Sequence, residues 1–447
     1  MFSKIKEIFN GNSHFSDIVR GSGITFALKI AGTVIGLYLV LLISNKYGAE
    51  SLGLYSLSMT TLMLVGIIST LGLTNSILRF SGSLADDSYS AIFSVYKKSL
   101  SISIPISTIL STIIFFTSEK LAESVFHNVS MASSLQAISL AIPFFSALLI
   151  NIPFLRVLKK NTISQLLTNV IRPVIIILIL LTINYFLLDS AVITPVYALT
   201  TSVMVVTLLS FILVLKQTNK IVIKDIDSIT YKQILNVSIP MLVTAIVVFL
   251  IDSIDSVMIS YYWPMEEVGI YSLAFKIATL IIFVRVSVEV ISAPKYSKLY
   301  WSGQKEELQK VIRTTSGLIF WVSSILILVI VSFYETYISY FGEEFATGKQ
   351  AMLILLFGQM VSVVSGSAGL FLNMTGKEII LRNTLLFVIV IDVLLNMLLI
   401  PKYSITGAAI ATATAISLGN IISVVYIKTK MSIDIIYIPN FKSIRLK

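Results

Sequence analysis

Nine ionisable side chains lie inside long apolar runs of this chain, and they are the residues whose type and spacing could do chemistry: Lys29, Arg172, Lys276, Arg285, Asp252, Asp255, Glu289, Glu335 and Asp392. Charge in hydrocarbon is costly, so each should face a polar cavity or a partner. Lys29 and Arg172 have no acid within the runs of the first half, and two such cations facing inward would suit an anionic group, since charge-assisted hydrogen bonds replace lost hydration. Their long stems would equally let them snorkel to an interface. Arg172 precedes Pro173, where a missing N–H loosens the helical ladder and frees a carbonyl. Arg79 closes the second run, either as a third anion contact or as a topology anchor.

In the second half, Arg285 and Glu289 are four apart on one helix face and can pair locally; a guanidinium there could also exchange Glu289 for an anionic ligand. Lys276 lies at a depth close to that of Asp255 on the preceding run, so a structural Lys276–Asp255 bridge is expected. Asp252 and Asp255 share a face at i, i+3, and with Asp392 they form a candidate coupling cluster for H+ or Na+. The competing reading is interhelical hydrogen bonding by a protonated acid. Glu335 lies near the interface and is given no role.

Other chemistry is poorly supplied. There are no cysteines, which removes disulfides, thiolate metal sites and Cys nucleophiles. His14 and His127 both lie outside the apolar runs, so neither a resident metal nor a His general base is expected. No P-loop spacing occurs, and the longest outer loop, around residues 119–131, holds no convincing acid/base set. The expectation is a protein that is not an enzyme, with no catalytic residue and no cofactor beyond a coupling H+ or Na+.

The elements that must position these groups follow from hydropathy. With 56% hydrophobic and 13% charged residues, the 447-residue chain cannot form a water-soluble shell. A span needs about twenty mainly apolar residues to cross roughly 30 Å of hydrocarbon, and twelve runs qualify. Residues 1–21 show no small-residue cleavage site, and Phe2, Ile5, Ile8 and Phe9 have the spacing of an interfacial helix. Lys and Arg stay on the cytoplasmic side of a membrane. Twelve spans with both termini inside put 25 of the 33 Lys and Arg on cytoplasmic segments and four on outer loops, so the net charge of +10 reads as a topology signal and not as nucleic-acid binding.

An internal repeat organises the spans. Aligning Ile43 with Ile259, without gaps, also lays Ser44, Glu50, Gly53, Tyr55, Ser56 and Leu57 onto Ser260, Glu266, Gly269, Tyr271, Ser272 and Leu273. The fold class expected is therefore all-α and polytopic. Twelve transmembrane helices form two six-helix lobes related by a pseudo-two-fold axis along the membrane normal. The divisions are a cytoplasmic segment at 1–21, an N-lobe at 22–215, a linker at 216–232, a C-lobe at 233–428 and a basic cytoplasmic tail at 429–447. Asn169, Asn184, Gln359, Asn373 and Asn396 read mainly as helix-packing amides, and Gly32 and Gly36 of GTVIG as a close helix contact.

The stretches NKYGAESLGLYSL, GLTNSILRF, VIRP, VGIYSLAFKI and IPKYSITGAAIATATA resemble the Wzx-type polysaccharide and O-antigen flippases of the multidrug/oligosaccharidyl-lipid/polysaccharide (MOP) superfamily. The resemblance implies a MATE-like fold in a bacterial inner membrane. It also implies movement of a polyprenyl-pyrophosphate-linked oligosaccharide unit of O-antigen, lipopolysaccharide or capsule by alternating access. Lys29, Arg172, Arg285 and Arg79 are then the expected pyrophosphate contacts. Membrane lipid, the polysaccharide polymerase and its chain-length regulator would be the partners, with no nucleic acid. The alternative is a cation-coupled multidrug or small-molecule exporter of the same superfamily, against which the basic first lobe argues.

Overall fold

Backbone N–H and C=O groups find no water in hydrocarbon and must be paired within the segment, which makes the helix the default element of an apolar chain. The computed structural model describes residues 13–83, 89–186, 191–218 and 229–437, and these are helical almost throughout. The expected interfacial helix at residues 2–9, most of the 216–232 linker and the end of the basic tail lie outside the described residues.

In chain order the helices are α1 (Ser13–Ser69), α2 (Leu73–Ser83), α3 (Tyr89–Ser124), α4 (Ser130–Val157), α5 (Asn161–Gln165), α6 (Arg172–Phe186), α7 (Thr194–Thr218) and α8 (Tyr231–Tyr262). They continue as α9 (Met265–Ala278), α10 (Ile281–Trp301), α11 (Lys305–Ser332), α12 (Tyr334–Phe341), α13 (Lys349–Val364), α14 (Ala368–Met374) and α15 (Glu378–Met431). Nine stretches of the described residues are individually long and apolar enough to cross a membrane, against the twelve runs expected. Three features account for the difference. The 57-residue α1 breaks at Gly48, where φ is 84°. The 54-residue α15 breaks at Ser404, where φ is 49°. Each is therefore far longer than one crossing needs. The run containing α9 and α10 is divided near Thr279, which leaves one short helix and one rich in charge.

The chain divides into two compact units, Met1–Phe249 and Leu250–Lys447, and the division falls inside α8, not at the linker. The beginning of α8 belongs to the first unit because it packs there. A Cβ on Gly72 would stand 2.2 Å from the Ser238 carbonyl oxygen, and Lys98 Nζ donates to the Ile229 carbonyl at 2.7 Å. Within the first unit, Asn151 of α4 joins two neighbouring helices: Tyr96 Oη donates to its Oδ1 at 2.7 Å, and its Nδ2 donates to Ser210 Oγ at 2.8 Å. Such polar links are what hold helices together where the surrounding solvent is itself apolar.

Pro173 shapes the approach to Arg172. Without the Pro173 N–H, the Asn169 carbonyl has no i+4 donor, and the backbone relaxes into a π-helical turn over Leu166–Ile171. That carbonyl lies against α1 at Gly32, where a Cβ would come within 2.6 Å of it. The close contact read from GTVIG is therefore a seat for an irregular backbone.

In the second unit, the extended segment after Met431 straps the helices. Gln309 Nε2 donates to the Asp434 carbonyl at 2.5 Å, Ser316 Oγ to the Ile435 carbonyl at 3.2 Å, and Trp321 Nε1 to Tyr437 Oη at 3.1 Å. Ile433 and Ile435 join Tyr296, Ile312, Phe371 and Ile427 in a buried apolar cluster.

Gly32→Ala should lower the thermal unfolding midpoint in detergent, by an amount equivalent to about 1–3 kcal/mol, because backbone must move to admit the methyl group. Gly369→Ala, whose Cβ would meet only Leu381 at 3.7 Å, should be much nearer neutral in the same assay.

Candidate functional site

The densest polar constellation among the described residues is built on Asp255 of α8. Its carboxylate is buried at 4% exposure and accepts from three neutral donors: Tyr271 Oη at 2.5 Å and Thr412 Oγ1 at 2.5 Å on Oδ2, and Asn396 Nδ2 at 2.7 Å on Oδ1. The donors come from α9 and from both sides of the Ser404 break in α15. Thr412 Oγ1 also contacts the Ala408 carbonyl at 3.0 Å, as a hydroxyl in an apolar helix commonly does.

Asp255 is thus not bridged to Lys276, contrary to the expectation from matched depth. The reason is rotational. Tyr271 is the α9 residue aimed at Asp255, and Lys276, five positions later, lies roughly 140° around the same helix at about 100° per residue. Asp392 is one turn before Asn396 on α15 and is equally buried at 4%, close enough to Asp255 for the two carboxylates to repel. Among the described residues, Asp392 Oδ1 and Asn396 Oδ1 have no hydrogen-bond donor. Buried acceptors without donors are rare in folded proteins, and here one belongs to the Asp392 carboxylate itself and the other to the amide that donates to Asp255. The side chain of Asp252 lies outside the described residues.

A cavity of about 620 Å³ opens from this cluster within the second unit. Asp392 and Thr412 line it, together with Gln359, Ser362, Arg285 and Glu289. Arg285 and Glu289 pair as their spacing required, with Nε to Oε1 at 3.6 Å, which is long for such a pair. Arg285 is held more firmly from α13, donating from Nη1 to Ser362 Oγ at 2.6 Å, while its buried Nε has no hydrogen-bond acceptor among the described residues. The break after α13 matters here: Gly366 adopts φ +61° and lines the cavity, and a Cβ would meet Ser316 Oγ at 2.5 Å.

The first unit carries Lys29, Arg79 and Arg172. Lys29 on α1 and Arg79 on α2 are exposed, and Arg172 is half-buried beside Tyr55, within electrostatic range of its hydroxyl. No ion pair involves Arg172 among the described residues. Glu335 is exposed and pairs with Lys349.

Sequence reasoning missed Tyr271 and Thr412, and treated Asn396 as a packing amide. A usable signal was present at one of them: Tyr271 is the repeat partner of Tyr55. In the same alignment Asp255 matches Leu39, a buried apolar residue, so the second repeat has a carboxylate where the first has a hydrocarbon.

Charged and amide side chains are thus gathered around one cavity of an almost wholly helical, apolar chain. Solved structures agree on the fold. The chain is similar to the lipid II flippase MurJ in its inward closed conformation, with a TM-score of 0.74 at 15% identity over 90% of this chain and 87% of that one. It is also similar to an inward-facing multidrug resistance MATE family transporter of the MOP superfamily, with a TM-score of 0.64 at 15% identity over 91% and 98% of the two chains.

The family model described as polysaccharide biosynthesis protein matches residues 18–292, more than half of the chain, and the chain belongs to that family. The MatE model matches residues 240–398. Among curated relatives, the Haloferax volcanii protein named "Probable low-salt glycan biosynthesis flippase Agl15" is 24% identical over 41% of this chain and 39% of its own length. The capsular polysaccharide biosynthesis protein CapF of Staphylococcus aureus is 24% identical over 40% of this chain and 46% of its own. The chain thus spans less than half of the length of these relatives.

Tyr271→Phe and Thr412→Val each remove one donor from a buried carboxylate and should cost about 1–3 kcal/mol of stability, read as a lowered unfolding midpoint in detergent. Lys349→Ala, which breaks the exposed pair with Glu335 and the contact of the ammonium with the Tyr334 ring, should cost about 1 kcal/mol, at the low end of that range.

Proposed function

We propose that this protein is a flippase that moves a polyprenyl-pyrophosphate-linked oligosaccharide unit across the bacterial inner membrane by alternating access between two six-helix lobes. The observation that carries the reading is Arg285. It stands at the cavity wall, anchored by Ser362, with a loose contact to Glu289 and an Nε that has no acceptor among the described residues. A guanidinium so placed can take a phosphate oxygen without first breaking a tight ion pair. Lys29, Arg79 and Arg172 would supply further positive charge from the acid-free spans of the first half. The family match and the names of the curated relatives support a glycan substrate. Twelve spans result if α1 and α15 each cross twice and α9 with α10 crosses once. Both termini are then cytoplasmic.

Cation coupling is the second part of the proposal. Asp255, Asp392, Asn396 Oδ1, Thr412 Oγ1 and the Ala408 carbonyl gather oxygen atoms where hydrocarbon would otherwise surround two negative charges. Such a cluster requires H+ or Na+. The same carboxylates also suit the alternative, a cation-coupled multidrug or small-molecule exporter, and the MatE match at residues 240–398 is the observation on its side.

In a strain lacking this gene, lipid-linked repeat units should accumulate on the inner face of the membrane. The wild-type gene should restore surface polysaccharide, and Lys29→Ala with Arg285→Ala should restore at least about tenfold less, the loss expected for a charge-assisted contact. Full restoration by the double variant would remove these residues from the site. Efflux of a cationic dye without accumulation of lipid-linked glycan would favour the exporter.

For coupling, NaCl should raise the unfolding midpoint of the purified protein more than KCl does at equal ionic strength, since a ligand that binds only the folded state stabilises it. Asp392→Asn should abolish the difference. Equal midpoints in the two salts for the wild type would leave H+ as the coupling ion.

A further inference from the structure

The helices α10 and α11 form a hairpin about the turn at Gly303, pinned by a 2.6 Å hydrogen bond between Tyr296 Oη and Thr315 Oγ1. A second cavity, about 490 Å³, runs along this hairpin. Its lining has a simple register. From α10 it takes Ser287, Val288, Ile291, Ser292 and Lys295, and from α11 Lys310, Val311, Thr314, Thr315 and Leu318. Each set is one helical face a little over two turns long, roughly 12 Å of axis. Because the helices run in opposite directions, the two lysines fall together at the end near the turn, while Val288, Ile291 and Leu318 lie deeper.

Ile291 and Leu318 are 66% and 51% exposed, so the deep end is an open apolar surface, and Lys295 and Lys310 are exposed at the mouth. The surrounding turn adds Lys298, Lys305 and Arg313 against Glu306 and Glu307, a net positive rim. An apolar groove with two ammonium groups at its outer end complements a single molecule having a hydrocarbon tail and an anionic head.

We propose that this groove binds an anionic membrane phospholipid. One acyl chain lies against Val288, Ile291 and Leu318, and the headgroup phosphate sits between Lys295 and Lys310. The site is separate from the cavity lined by Arg285 and Asp392, and it stands whether or not the flippase reading does.

The test uses the full chain, purified and delipidated in detergent, titrated with dioleoyl phosphatidylglycerol or dioleoyl phosphatidylcholine, with bound lipid counted by native mass spectrometry. Each lysine near a membrane surface favours anionic lipid roughly fivefold, so wild type should prefer phosphatidylglycerol on the order of thirtyfold. Lys295→Ala with Lys310→Ala should reduce the preference to about threefold or less on the same scale. The Lys295→Arg, Lys310→Arg pair should retain it, which separates loss of charge from loss of fold. Leu318→Trp should weaken both lipids by filling the groove.

A wild type without preference, or a double alanine variant that keeps the preference, overturns the proposal. So does displacement of phosphatidylglycerol by an equimolar polyprenyl phosphate, which would make the groove a substrate-tail site. A wild type that is dimeric and becomes monomeric with Leu318→Trp would assign the groove to a second copy of the chain and would overturn it too.

Discussion

An ionised or even a polar side chain cannot stand alone in hydrocarbon, and in this protein that constraint is met most completely at Asp255. Its two carboxylate oxygens take three hydrogen bonds from Tyr271, Asn396 and Thr412. One side chain thereby fixes α8, α9 and both sides of the break in α15 relative to one another. The cavity wall that includes Asp392 and Thr412 depends on this arrangement, because Thr412 both holds Asp255 and faces the open space. The cluster is satisfied on the Asp255 side, while Asp392 Oδ1 and Asn396 Oδ1 have no donor among the described residues. The first repeat has Leu39 at the position of Asp255, so the symmetry of the backbone is not a symmetry of chemistry.

The first unit solves a related problem without charge. Pro173 deprives the Asn169 carbonyl of its donor, and the structure answers with a π-turn and a glycine on the facing helix. Gly32 lets two backbones approach where any Cβ would collide. Arg172 follows directly after this irregular turn, and its position therefore depends on a packing contact made by a different helix. The pairing of Arg172 with Pro173 signalled a loosened ladder, and Gly32 with Gly36 signalled close packing. That the two signals describe one contact is visible only when α1 and the π-turn are brought together.

The cavity of the second unit shows the same division between local and distant causes. Arg285 and Glu289 had to be neighbours, because a spacing of i, i+4 is about one helical turn, and they are. The stronger partner of Arg285 is Ser362, 77 residues away, which no local periodicity could indicate. The strap after Met431 is a further instance. Its residues read as the start of a basic tail, yet Asp434, Ile435 and Tyr437 thread against α11 and the end of α13, beside the Gly366 break that shapes the cavity.

Composition and hydropathy by themselves determined an all-helical membrane chain, since long apolar runs without the alternation of a barrel leave the helix as the fully hydrogen-bonded backbone. The motifs carried the resemblance to polysaccharide biosynthesis proteins that the family match bears out, and the in-span charges marked the α8, α10 and α15 segments that contribute to the cavity and the cluster beside it. Tertiary structure alone decided which of those charges meet. Depth along a helix can be read from the chain, but the direction in which a side chain points depends on the rotation and kinks of each helix against its neighbours. For that reason Asp255 was matched in depth to Lys276 and is held instead by Tyr271, Asn396 and Thr412, whose contacts are set by packing across as many as 157 residues of sequence.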